Sequence, residues 1–96
     1  MGRSYRPRPK KLGSKLAQIR NALGLTIEEM IKRLDYTESP LYPANVSEFE
    51  SNKREPPLML LAKYSEVAGI CADVLIRDDL ELPDKLPSRP THRVRP

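Results

Sequence analysis

Two adjacent prolines, Pro56-Pro57, stop any helix that reaches them from upstream, because neither has an amide hydrogen and each ring collides with the preceding turn. The stretch before them must therefore be short. Val46 and Phe49, three residues apart, share one helical face and leave Asn45, Ser47 and Glu48 turned elsewhere. Pro43 suits a first helical position, where its missing N–H is no loss, and Asn52 falls where a left-handed exit is wanted. This predicts a helix from Pro43 that ends at Asn52, with Lys53-Arg54 in its exit loop.

The same punctuation divides the rest of the chain. Leu12, Leu16, Ile19 and Leu23 follow a helical period that Gly24 closes. Thr26-Ile27-Glu28-Glu29 reads as a capping box, and Ile27, Met30, Ile31 and Leu34 carry a second helix. Asp35 to Tyr42, with Pro40 and Ser39, is a loop. After Pro57 a fourth helix is expected to bury Leu58, Leu61, Ala62, Ser65 and Ala68 and to stop at Gly69. Its second stripe, Leu60, Tyr64 and Val67, is left needing a partner. Ile70 to Leu75 begins a short fifth helix with Cys71 as a filler at its start, and residues 77–86 read as an extended segment or edge strand.

The run Val46-Ser47-Glu48-Phe49-Glu50, followed by Ser51-Asn52-Lys53-Arg54-Glu55-Pro56, resembles the third helix and exit loop of the lambda-repressor/Cro-like helix-turn-helix family, the xenobiotic-response-element type. The resemblance extends upstream through Leu12 to Leu34 and downstream through Leu58 to Leu75. It implies an all-α, compact five-helix DNA-binding domain over residues 12–76, with the turn between helices 2 and 3 lengthened by roughly five residues, an insertion of small entropic cost. It also implies a structural ion pair between Arg20 and Glu50. The positions that meet base edges in that family fall on Pro43, Ala44 and Glu48. Asn45 and Ser47 are placed for base or phosphate, Tyr42 for the backbone, the helix start at Thr26 for a phosphate, and Lys53 and Arg54 for phosphates. Double-stranded operator DNA is the implied partner, bound by a homodimer to which 77–86, with Leu60, Tyr64 and Val67, would contribute a contact.

Charge is divided along the chain in a way that its net value of +4 conceals. Arg3, Arg6, Arg8, Lys10, Lys11 and Lys15 precede any acid, and Lys85, Arg89, Arg93 and Arg95 outnumber Asp84 near the other end, so the middle is acidic. Residues 1–11 are expected to be a flexible basic arm that neutralises phosphates or enters a minor groove, and 87–96 a disordered basic tail. Other classes find little support. One cysteine and one histidine give no disulfide, no metal site and no activated nucleophile. The carboxylates are scattered, no glycine-rich phosphate loop is present, and neither an enzyme, a cofactor nor a small-molecule effector is expected. No run approaches a membrane span and no secretory leader is read, which points to the cytoplasm, at the nucleoid if DNA-bound. The competing reading is a helix-turn-helix protein-interaction module, antitoxin-like or a co-regulator, that does not itself read DNA; the donor-poor Pro43, Ala44 and Glu48 favour it.

Overall fold

The computed structural model describes residues 8–86 and consists there of five helices with no strand. They are α1 (Leu12–Leu23), α2 (Ile27–Leu34), α3 (Pro43–Glu50), α4 (Leu58–Ala68) and α5 (Ala72–Ile76). Left-handed residues close four of them: Gly24 at φ 72° after α1, Asp35 at φ 50° after α2, Asn52 at φ 65° just beyond α3, and Gly69 at φ 73° after α4. The Thr26 capping box is complete, with Glu29 N donating to Thr26 Oγ1 at 3.1 Å and Thr26 N to Glu29 Oε1 at 2.9 Å. None of the helices in the described residues is long and apolar enough to cross a membrane.

α1 packs on α3 and α5, α2 on α3 and α4, and α4 on α5, around one core. Leu12, Leu16 and Ile19 enter it from α1, Met30 and Leu34 from α2, Phe49 from α3, and Leu60, Leu61, Tyr64 and Ala68 from α4. The connection 35–42 is anchored at its two ends, where Tyr36 and Leu41 lie partly buried against this core, and Thr37–Pro40 stay exposed between them.

The buried face of α4 differs from the sequence expectation. Leu58 is 74% exposed and Ala62 only half-buried, whereas Leu60 and Tyr64 are fully buried and Val67 packs against the core. Two neighbouring stripes on one helix are separated by less than its apolar arc, and Leu58, in the first turn, projects past the edge of the core. Leu60 and Tyr64 are thus unavailable for a dimer contact. The segment 77–86 is not a strand either. Asp78-Asp79 makes a turn closed by Leu80 N donating to Arg77 O at 3.2 Å, and Leu82 and Leu86 fold back onto the core.

The Tyr64 side chain carries its hydroxyl into this interior, where it has no hydrogen-bond partner among the described residues. Burial pushes the phenol's pKa up. An orphaned buried hydroxyl costs desolvation with no return. Tyr64→Phe is therefore expected to raise the unfolding free energy by about 1 kcal/mol in urea denaturation; a destabilised variant would show that the hydroxyl has a partner.

Candidate nucleic-acid interface

The positions implicated in DNA contact converge on α2, α3 and the exit loop, yet several already have intramolecular work. Asn45 sits in the first turn of α3, and its Oδ1 accepts from Tyr42 N at 2.9 Å, so the side chain caps its own helix start. Glu48 accepts from Arg54 Nε at 2.9 Å in a solvent-accessible pair, so two positions expected to meet DNA are bound to each other. At the α2 start, the Glu29 carboxylate occupies the place a phosphate would take, and the Thr26 hydroxyl is already an acceptor. What α3 presents freely to solvent is Pro43, Ala44 and Ser47, flanked by Tyr42 at 61% exposure.

Arg20 and Glu50 hold this unit to α1. Arg20 Nε donates to Glu50 Oε2 at 2.7 Å and Nη2 to Oε1 at 3.0 Å, while Nη1 donates to Leu25 O at 3.0 Å. One guanidinium thereby ties the end of α3 to the α1–α2 turn. The hydrogen bond to Glu50 raises the Arg20 pKa further above its ordinary value, so the guanidinium stays charged. The exit of α3 is satisfied by Lys53 N donating to Glu48 O at 2.9 Å and Ser51 Oγ to the same carbonyl at 3.2 Å. Lys53 itself is exposed.

The last part of the basic arm is not free. Lys10 N and Lys11 N donate to the two carboxylate oxygens of Asp78 at 2.9 and 3.0 Å. Asn52 Nδ2 donates to Lys10 O at 3.3 Å, and Arg8 Nη2 to Asn52 O at 3.3 Å. Residues 8–11 therefore lie along the α3 exit; Arg3, Arg6 and the tail 87–96 fall outside the described residues. The side chains of Arg8, Lys10 and Lys11 remain exposed. The two amides hold the Asp78 carboxyl below its ordinary value of 3.8. A depressed carboxylate stabilises the fold fully above that value, and the contribution is lost as pH falls through the lower, folded one.

Lys15 departs from the rest of the basic run. It is buried, and Nζ donates to Val74 O and Arg77 O, each at 2.7 Å, capping the end of α5 with a cation. Burial pushes its pKa down against the opposing pull of Asp78. The anchors Asn52 and Asp78 were not singled out as arm contacts from sequence. The available signal was the acidic Asp78-Asp79 pair following the last helix of a chain that opens with bases alone.

Elsewhere a groove of about 710 Å³ lies between residues 8–9, the start of α4 and the end of α5, lined by Pro9, Pro57, Leu58 and Ile76 with Arg8, Glu55 and Asp78. Among the described residues there is no cluster of three or more His, Cys, Asp or Glu side chains suited to a metal ion. Comparison with family models, with curated proteins and with solved structures finds no match for this chain.

Proposed function

We propose that the chain is a sequence-specific DNA-binding transcriptional regulator of the lambda-repressor/Cro-like helix-turn-helix type, binding operator DNA as a homodimer through α2 and α3. The observation that carries this reading is the course of the arm base. Arg8, through its guanidinium, and Lys10, through its backbone carbonyl, are hydrogen-bonded to Asn52, the residue before Lys53 in the exit of α3, and Arg8, Lys10 and Lys53 are all exposed. A row of cations along one helix exit is the electrostatic footprint of a phosphate backbone. Base reading would be sparse: Ala44 can touch a thymine methyl, and Ser47 can bond a base edge. Affinity then rests on the basic segments more than on α3. The second copy is assigned to the groove lined by Pro9, Pro57, Leu58 and Ile76.

The second reading, a helix-turn-helix module that binds another protein, draws on the same α3 face, since Pro43 and Ala44 donate nothing and Glu48 is tied to Arg54.

Selection of bound duplexes from a random-sequence pool, at two salt concentrations, separates the two. Enrichment of a two-fold-symmetric motif, with retention falling steeply as salt rises, is expected, together with a dimer mass in light scattering at tens of micromolar. Removal of residues 2–11 should weaken binding by about tenfold or more, because those bases release counterions. An unchanged binding curve after that truncation would sink the arm-dependent mechanism, and no retention even at low salt would leave the protein-partner reading.

A further inference from the structure

Basic arms next to DNA-binding units owe their usefulness to reach, and reach is wasted if the base of the arm points away from the duplex. Here the base is held at two points that come from distant parts of the chain. Asp78, in the turn after α5, accepts the consecutive amides of Lys10 and Lys11 with its two oxygens. Asn52, at the exit of α3, donates its side-chain amide to the carbonyl of Lys10. The Lys10–Lys11 peptide is thereby fixed through both its N–H and its C=O, and the Pro9–Lys10 peptide through its N–H. Arg8 reaches the Asn52 carbonyl from the same side. Neither anchor carries positive charge, and Asp78 brings a negative one toward a surface read as phosphate-binding.

We propose that Asp78 and Asn52 are positioning residues: a two-point clasp that lays the arm base along the α3 exit so that Arg8, Lys10 and Lys53 act on one stretch of nucleic-acid backbone. The inference rests on the operator-binding reading and deepens it. It assigns a carboxylate a favourable part in binding a polyanion, which is opposite in sign to what its charge alone would do. Asn52 has two separable duties. Its backbone supplies the left-handed exit at φ 65°, which glycine would supply equally well, and its side chain holds Lys10. Asn52→Gly removes the second duty and keeps the first.

The test uses the full chain and a random-sequence duplex at low salt, beside amide hydrogen exchange. Asp78→Ala should weaken duplex binding by about threefold to tenfold, the loss of one or two phosphate contacts. Asp79→Ala, which removes the same charge one residue away from an exposed pair with Arg77, should leave binding unchanged or tighten it. Exchange at Lys10 and Lys11 should speed up in Asp78→Ala and Asn52→Gly while amides of α1 and α4 keep their protection. Asp78→Asn, with one acceptor oxygen and no charge, should fall between wild type and alanine in both measurements. If exchange at Lys10 and Lys11 does not change, there is no clasp. If exchange speeds up but Asp78→Ala binds DNA as tightly as Asp79→Ala, the clasp has no positioning role. If wild-type protein retains no duplex, the operator reading fails and the positioning role with it, while the exchange data alone decide whether the clasp exists.

Discussion

Gly13→Ala is expected to destabilise the protein by about 2 kcal/mol, although the residue lies inside a helix where alanine is normally preferred by about 1 kcal/mol. A Cβ at this position would stand 2.6 Å from Phe49 O, 2.8 Å from Glu50 O and 2.9 Å from Asn52 N. All three are backbone atoms, so no side chain can rotate out of the way. The methyl group must push α1 off the end of α3, and α3 carries Phe49 into the core at the same point. Urea denaturation of the single variant measures the loss. A stability gain of the size usual for glycine to alanine in a helix would mean that the two helices lie farther apart than described. Because Asn52 is among the crowded atoms, Gly13→Ala should also loosen the arm base, visible as faster exchange at Lys10.

Glu50→Gln is the second large effect, with an expected loss of about 3 kcal/mol. Arg20 is 19% exposed and Glu50 10%, so water screens the pair poorly. The glutamine keeps the shape but offers one acceptor oxygen where Arg20 uses two, and it leaves a partly buried cation without its counter-charge. Replacing both partners with apolar residues of similar volume, Arg20→Met with Glu50→Leu, should recover a good part of the loss, since the desolvation cost vanishes with the charges. The coupling energy from the double-mutant cycle checks this directly. Additive losses would place the stabilisation in packing and in the Arg20 contact with Leu25 O, with little left for the ion pair.

Helix boundaries were the legible part of this chain, and the reason is local. Gly24, Gly69 and Asn52 stop helices through their own backbone freedom, Thr26 starts one through its own hydroxyl, and Pro43 starts another through its fixed φ. None of these depends on what lies across the core. The facing of α4 does depend on it, and that was misread: Leu58 and Leu60 are equally apolar, and only the placement of α1, α2 and α5 decides which is covered. Lys15 looked like one more base of the opening basic run, because its acceptors, the carbonyls of Val74 and Arg77, leave no side-chain trace in the sequence. Gly13 was silent for the same reason, its neighbours being backbone atoms of a distant segment. In the candidate interface, Lys53 could be read as a surface base, whereas the pairing of Glu48 with Arg54 and the capping by Asn45 needed coordinates.

Burial of the Lys15 ammonium against the end of α5 sets an order of events in synthesis. Its two acceptors lie 59 and 62 residues further along the chain, and Asp78 lies 68 residues beyond Lys10. On a ribosome, α1 emerges first but cannot seat its inner cation until the turn after α5 has cleared the exit. Contacts of such long sequence separation form late and slow the closing step, even in a helical protein that otherwise folds through near neighbours. A nascent chain that ends before Arg77 would thus hold the residues of all five helices but lack one of the two carbonyls that seat this lysine.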